Sequence, residues 1–402
     1  MVRPATAQEV VVAVAEAAFR KLPVVIEGAG TRETWLPEAD PDAVSVSTLG
    51  LQEPGEIRAE NMTARFPVGM SLEGVQAQLA QAGLWLPLEH ADSSGATLGG
   101  CVAAGFTNPL RLGYGFPRDW VLGLEFVTGE GRLVSAGGDV IKNVAGYDMV
   151  KAHLGAWGRL GLLTNVTVRL LPLPEARTSV VTTGLADVTR VEKTVLAALA
   201  SVAAPAALEL EGSAGGFRLL ARLLGGGEWL VARSLLLRRE LEAAGLEAEV
   251  LNDAAEETVW TAYRSERVRR ARAHEWQLKV SVPVPGISGL TGIIETTLAD
   301  EAWAVSGHGG SGVFTVYWSD EAGPRSLLDA VRRWVAPKGF VVAEGAAARA
   351  VCGSERWVSF PPRARRGQDA AEARVLQALS PGAVFNRHLP RFGPADAGRV
   401  TP

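Results

Sequence analysis

The chain has 402 residues, 47% of them apolar, and a formal net charge of −4; a single core stops growing at about 250–300 residues, so two domains are expected in an ordinary globular protein. The weak acidic balance excludes a global basic field that would draw in nucleic acid, and two cysteines, Cys101 and Cys352, exclude both a disulfide framework and an iron–sulfur cluster held by this chain alone. A reducing cytoplasm fits, and because the apolar run Val10 to Phe19 is broken by Glu16 and too short to span a bilayer, any membrane association is expected through a partner.

Thr6, or a residue just after it, caps a helix running to about Lys21, with Val10, Val11, Val14, Ala17 and Ala18 at helical spacing. Val24-Val25-Ile26 is a short buried strand, and Gly28-Ala29-Gly30-Thr31 is the turn behind it. Short strands are expected over residues 44–70, with a turn at Pro54-Gly55. Ser71 opens a second helix that ends near Gly83 on the spacing Leu72, Val75, Leu79 and Ala82. Ser93 and Ser94 are N-cap candidates before Gly95-Ala96-Thr97, and the helix that follows carries Gly99, Gly100, Ala103, Ala104 and Gly105. Gly129-Glu130-Gly131 reads as a hairpin turn between strands 121–128 and 132–135. A third glycine stretch, Lys142 to Asp148, precedes a helix over 149–154, and 160–171 is an apolar strand that ends at Pro172 and Pro174.

Beyond those prolines the pattern is strand 179–183, helix 187–202, strands 206–211 and 217–224, helix 228–244 and strand 247–251. The same order returns as strand 276–282, helix 288–298, strands 302–306 and 313–318, helix 323–335 and strand 340–344. Two βαββαβ units imply one antiparallel sheet with helices on one face. The basic cluster Arg264 to Arg272 reads as the solvated face of a helix, and the tail from about residue 369 as a helix to 379 and an extended segment.

Glycine-rich loops let backbone N–H groups crowd a diphosphate because no Cβ stands in the way. Three such stretches point to one long anionic ligand, for which a flavin dinucleotide is the natural candidate. The first is not a Rossmann fingerprint: position 33 is Glu, and Trp35-Leu36-Pro37 is a poor helix start. The second is a costly helix, since each interior Gly costs roughly 1 kcal/mol relative to Ala. Its small residues have two readings, close helix-on-sheet packing or a cofactor lying against the backbone. In the third, Lys142 is a credible charge near phosphates or near the reducible edge of a flavin.

The segments Pro23-Val-Val-Ile-Glu-Gly-Ala-Gly-Thr31, Gly95-Ala-Thr-Leu-Gly-Gly100, Lys142-Asn-Val-Ala-Gly-Tyr-Asp148, Gly158-Arg-Leu-Gly-Leu-Leu-Thr164 and Arg118-Asp-Trp-Val-Leu-Gly123 resemble the vanillyl-alcohol oxidase type of FAD-binding proteins, with the PCMH fold. Within that family they are similar to the FAD-binding E subunits of glycolate oxidase. The resemblance implies an α+β fold: a PCMH-type FAD-binding domain of two α/β subdomains over residues 1–176, an antiparallel-sheet cap over 177–368, and a C-terminal segment, 369–402, returning to the first domain. It implies non-covalent FAD. Gly28, Ala29, Gly30, Thr31 and Arg32 would hold the diphosphate, and Ser94, Gly95, Ala96, Thr97, Gly99, Gly100, Ala103 and Gly105 would continue toward the ribityl chain. Lys142, Gly161, Leu163 and Asn386 would complete the cofactor set. Gly155-Ala-Trp-Gly-Arg-Leu-Gly161 departs from the usual Gly-Ser-Glu-Gly-Thr-Leu-Gly, and Arg387-His388 stands where Pro-Gly is usual.

Oxidising a 2-hydroxy acid requires a base for the hydroxyl proton and cations for the carboxylate. The five histidines, His90, His153, His274, His308 and His388, show no metal-ligand spacing, so no metal is expected. His308, in Gly307-His-Gly-Gly-Ser-Gly312, is the candidate catalytic residue; the alternative is a turn histidine in water. Arg111, Arg118 and Lys279 are candidate carboxylate ligands. The reading is an FAD-binding subunit of a glycolate oxidase-like complex, joined to a catalytic FAD subunit and an iron–sulfur subunit. The alternatives are a self-sufficient FAD-dependent D-2-hydroxyacid dehydrogenase and a cofactor-free scaffold of the same fold.

Overall fold

The computed structural model describes residues 1–31, 41–90, 95–105, 108–138, 148–183, 188–298, 302–319, 325–335, 340–344, 378–379 and 385–386. The expected cofactor residues Arg32, Ser94 and Lys142 and nearly all of the expected C-terminal helix lie outside them. The chain divides into two compact units, Met1–Asn108 with Phe116–Leu173 and Arg363–Pro402, and Pro109–Gly115 with Pro174–Pro362. The short excursion of Pro109–Gly115 into the second unit is a feature that composition does not signal.

The first unit contains α1 (Ala7–Phe19), β1 (Val24–Glu27), β2 (Val44–Ser47), β3 (Glu56–Arg58), β4 (Thr63–Pro67), α2 (Leu72–Gln81), β5 (Leu84–Trp85) and α3 (Leu98–Ala104). After α4 (Arg111–Tyr114), which belongs to the second unit, come α5 (Pro117–Trp120), β6 (Val121–Val127), β7 (Leu133–Gly137), α6 (Met149–His153), β8 (Leu162–Arg169) and β9 (Leu171–Pro172). Local chemistry sets the helix starts. Thr6 Oγ1 accepts the Glu9 N–H at 3.2 Å while the Glu9 carboxylate accepts the Ala5 N–H at 2.8 Å, satisfying two otherwise orphaned donors. Ser71 does the same for Gly74 at 3.0 Å, and α2 buries the expected stripe of Leu72, Val75 and Leu79. β1 and β2 form a parallel pair. The sheet β3-β4-β8-β6-β7 is antiparallel, with Phe66, Phe126 and Val166 among its buried side chains.

The second unit continues with β10 (Ala176–Thr183), α7 (Val188–Ala200), β11 (Ala207–Ser213), β12 (Gly216–Gly225), α8 (Gly227–Ala243) and β13 (Glu247–Asn252). The helix α9 (Asp253–Ala273) leads to β14 (Trp276–Ser281), α10 (Ile287–Thr297), β15 (Trp303–His308), β16 (Val313–Trp318), α11 (Arg325–Val335) and β17 (Phe340–Glu344). The eight strands run in the order β13-β10-β12-β11-β15-β16-β14-β17, all neighbours antiparallel. Each half is one βαββαβ unit, and the halves meet edge to edge at β11 and β15. Strand alternation puts Val180, Leu208, Leu210, Ala221 and Val305 into one apolar core with Val195, Leu237, Ile294 and Val331 from α7, α8, α10 and α11.

The long helix α9 corrects the expectation that all helices share one face. Ser179, Glu209 and Arg222 alternate with the core residues of β10, β11 and β12, and bond to Glu256 and Trp260, Tyr263, and Glu256 of α9 respectively. The basic cluster on α9 is likewise not wholly solvated: Arg269 and Arg272 are exposed, but Arg267 is buried and Arg270 reaches the Val305 carbonyl at 3.0 Å.

Candidate functional site

In the first unit, backbone segments distant in sequence close a ring. The Ile26 N–H donates to Asn386 Oδ1 and the Asn386 N–H to the Val24 carbonyl, each at 2.8 Å. Asn386 Nδ2 donates to the Trp157 carbonyl at 2.8 Å, and the Trp157 N–H donates to the Ala103 carbonyl at 2.8 Å. Trp157 and Asn386 both hold left-handed backbone, at φ 54° and 41°, a conformation uncommon outside glycine. These hydrogen bonds fix both. At the other end of α3, a Cβ on Gly28 would lie 2.9 Å from Thr97 Oγ1. The turn after β1 and the start of α3 are therefore in contact.

The helix cap differs from expectation. Thr97, not a serine upstream, is the N-cap of α3, accepting the Gly100 N–H at 3.1 Å. Gly95 before it has φ +80°, and a Cβ there would meet nothing within 4 Å. The Gly95 N–H is directed at the Glu73 carboxylate, at 3.2 Å. Gly95 thus offers an open backbone face rather than a free donor.

The expected cofactor residues separate into two groups. Ala29, Thr31, Gly95, Gly100 and Gly105 are exposed, Gly28, Gly30 and Ala103 half-buried. Among the described residues none accepts a hydrogen bond from the backbone N–H groups of Gly28, Ala29, Gly30 or Thr31. Ala96, Thr97, Gly99, Gly161, Leu163 and Asn386 are buried. Packing explains two of the glycines among them. A Cβ on Gly99 would lie 2.6 Å from Val68 Cβ, and one on Gly161 would lie 2.7 Å from the Phe126 ring and 3.0 Å from the Val127 carbonyl. Gly105 is the left-handed C-cap of α3, pressed on Gly155. Leu163 stands opposite Phe126 in the β6–β8 pair.

Four consecutive unpartnered N–H groups beside a Cβ-free turn fit an anionic linker, which would give them the acceptors they lack. Such a turn and the open Cβ-free face of Gly95 are chemically suited to an anionic linker, whereas a Cβ on Gly100 would lie 3.0 Å from Thr97 Oγ1.

His153 is buried beside this framework. Its ring lies 4.1 Å from the Phe126 ring, its Nε2 has no partner among the described residues, and burial pushes its pKa down to about 4 from the usual 6.5. Below about pH 6.5 the unfolded chain takes a proton that the folded chain refuses. Stability is therefore expected to fall between pH 6.5 and about 4, by about 3 kcal/mol in all at 1.36 kcal/mol per unit. His153→Leu removes that component. Urea titrations across this range check it: an equal acid loss in both proteins contradicts the assignment.

In the second unit His308 ends β15 as a cross-strand partner of Glu209, buried at 3% exposure, so it is not a turn histidine in water. Its Nδ1 lies 2.6 Å from Glu209 Oε1. Tyr263 donates from its hydroxyl to Glu209 Oε2 at 2.6 Å, and Arg267 Nη1 donates to the Tyr263 oxygen at 3.2 Å. Burial lowers the His308 pKa, partly opposed by Glu209, and raises that of Tyr263. Arg111 of α4 carries the same electrostatic influence: burial lowers its pKa and Glu209 raises it. Of the other carboxylate candidates, Arg118 is exposed beside Phe116, and Lys279 stands on β14 opposite Thr315. Reading the sequence missed Glu209, Tyr263 and Arg267. A buried-parity Glu in a strand was the one signal available for Glu209.

A family model described as an FAD binding domain matches residues 1–137. Glycolate oxidase subunit GlcE of Escherichia coli (strain K12) is 44% identical over 119 residues, 29% of this chain and 33% of that protein. A D-lactate dehydrogenase of Archaeoglobus fulgidus is 31% identical over 172 residues, 43% of this chain and 38% of that protein. The chain thus spans only 33–38% of the length of these curated relatives. The solved structure of an alkyldihydroxyacetonephosphate synthase matches with a TM-score of 0.72 over 97% of this chain and 76% of that one, at 14% identity. That is a likeness of fold. No helix among the described residues is long and apolar enough to cross a membrane.

Proposed function

We propose, from the match of residues 1–137 to a family model described as an FAD binding domain, that the chain is the FAD-binding subunit of a glycolate oxidase-like complex that oxidises 2-hydroxy acids. It holds FAD non-covalently and works with a catalytic FAD subunit and an iron–sulfur subunit. The observation that carries this reading is the row of unpartnered N–H groups from Gly28 to Thr31, closed against Thr97. When bound, FAD supplies a two-electron oxidant for a carbon bearing a hydroxyl group. The chain's own contribution is backbone polarity at the cradle, and the Asn386 and Trp157 bonds hold the strands that present it. The likeness to subunit GlcE supports the complex.

A second reading is a self-sufficient FAD-dependent D-2-hydroxyacid dehydrogenase. The buried His308–Glu209 pair favours it, because a base is what an accessory subunit has no need of. Anaerobic addition of glycolate or D-lactate to the purified chain separates the two. Bleaching of the yellow chain alone supports the second reading, and bleaching only in the assembled complex supports the first. A colourless chain that cannot be reconstituted with FAD would sink both in favour of a scaffold.

A further inference from the structure

The N-terminal ends of α2 and α3 are laced together. Ser71 pairs with Thr97, the Leu72 N–H donates to the Ala96 carbonyl at 2.9 Å, and the Leu98 N–H donates to the Met70 carbonyl at 2.8 Å. The Gly28 turn abuts the same Thr97. Gly95 precedes Thr97 by two residues, about 7 Å of chain at most. Its N–H therefore lies in the same corner of the first unit as the row of N–H groups from Gly28 to Thr31.

That donor is held by a charge of the protein's own. Both carboxylate oxygens of Glu73, in the first turn of α2, lie within reach of the Gly95 N–H, at 3.2 and 3.3 Å. Glu73 is exposed, and no lysine or arginine among the described residues pairs with it. The helix dipole accounts for an acid in the first turn of α2. It does not account for a reach across to the neighbouring segment, and the Ser71 hydroxyl already caps α2 at the Gly74 N–H. An ionised carboxylate on a Cβ-free backbone N–H does there what a phosphate oxygen of a ligand would do. The approach is open, because a Cβ on Gly95, at φ +80°, would meet nothing within 4 Å.

We propose that Glu73 is a built-in competitor for the dinucleotide: its carboxylate holds the Gly95 N–H while the Gly28–Thr31 cradle is empty and leaves it when the ligand's diphosphate arrives. The inference rests on the proposed binding of FAD by this unit. The contact weakens binding in two ways. The carboxylate repels the diphosphate, and the form with Glu73 in place is not competent to bind, so the apparent affinity falls with the competent fraction. A contact made about nine-tenths of the time lowers affinity about tenfold. An exposed carboxylate swings into water at little cost, so the contact tunes affinity and does not block the site.

The experiment is a fluorescence titration of the full chain, freed of flavin, with FAD. Glu73→Gln keeps the side-chain length and loses the charge, and is expected to bind FAD about tenfold more tightly than the wild type. Glu73→Ala removes the acceptor as well and binds at least as tightly as Glu73→Gln. If Glu73 instead serves only to order the segment at Gly95, Glu73→Ala binds FAD more weakly than the wild type, and the proposal is overturned. The gain shrinks in about 1 M salt, where the Debye length is about 3 Å; a gain undiminished there contradicts its electrostatic origin. The contact itself is read without cofactor: the Gly95 amide proton resonance of the flavin-free chain moves upfield in Glu73→Ala, and an unmoved resonance overturns the contact. A wild-type chain that binds FAD as tightly as both variants removes the role of Glu73 alone. A wild-type chain that binds no FAD at any concentration removes the cradle reading itself.

Discussion

Valine in place of Gly28 is expected to weaken FAD binding by roughly ten- to a hundredfold while leaving the far-UV circular dichroism unchanged. A Cβ at Gly28 falls 2.9 Å from Thr97 Oγ1 and 4.0 Å from Thr48 Oγ1. Neither hydroxyl is idle: Thr97 caps the Gly100 N–H and Thr48 donates to the Glu27 carbonyl. Thr97 is also buried, at 2% exposure, so it cannot swing into solvent. Either the cap breaks, at about 1 kcal/mol, or the turn backs away from α3, and overpacking costs about 1–3 kcal/mol. Taken from the cradle, that is the stated loss of affinity. The sheet core around Phe66, Phe126 and Val166 is untouched, which is why the fold persists. Flavin absorbance per protein, read with the dichroism, checks both halves of the expectation. A variant as yellow as the wild type contradicts close approach at this turn.

Glu256→Ala is expected to cost the second unit about 3–5 kcal/mol. The Glu256 carboxylate, 2% exposed, accepts from Arg222 Nε at 2.6 Å and from the Ser179 hydroxyl at 3.1 Å. The Arg222 guanidinium lies 4.3 Å from the centre of the Trp260 ring, whose Nε1 donates to Ser179 at 2.8 Å. Truncating the acid removes the carboxylate that accepts from Arg222 Nε and from Ser179 in a buried site, and with it the Coulomb attraction that offsets the desolvation of the guanidinium. Replacing both partners, Arg222→Met with Glu256→Leu, restores stability to within about 1.5 kcal/mol of wild type, as volume-conserving swaps usually do. Denaturant midpoints for the single and double variants are the measurement. A single variant as stable as the wild type would show that the pair contributes nothing.

Periodicity made most of the second unit legible. The strand 313–318 and the strand 340–344 coincide with β16 and β17, and the other strands and helices match within a few residues. Each apolar stripe there faces a single core, so local pattern and tertiary packing agree. On α9 they part: Glu256, Trp260, Tyr263 and Arg267 form its buried stripe, and two of the four are charged. Such a stripe reads as solvated until the polar face of the sheet beneath it is known.

Glycine content marked the cradle, but adjacency in sequence could not sort its members. Gly99 and Gly100 are neighbours, yet Gly99 is pressed on Val68 and Gly100 is exposed, because successive helical residues point about 100° apart. The sequence by itself determined the elements, the paired βαββαβ order and the Cβ-poor turns, since these depend on residue type and short-range spacing. Tertiary structure alone decided which turns meet and how His308 is held. Glu209 lies 99 residues from His308, and they become partners only because β11 and β15 pair where the two halves of the sheet join. That pairing is a consequence of packing two separate units edge to edge, and no local preference of either strand encodes it.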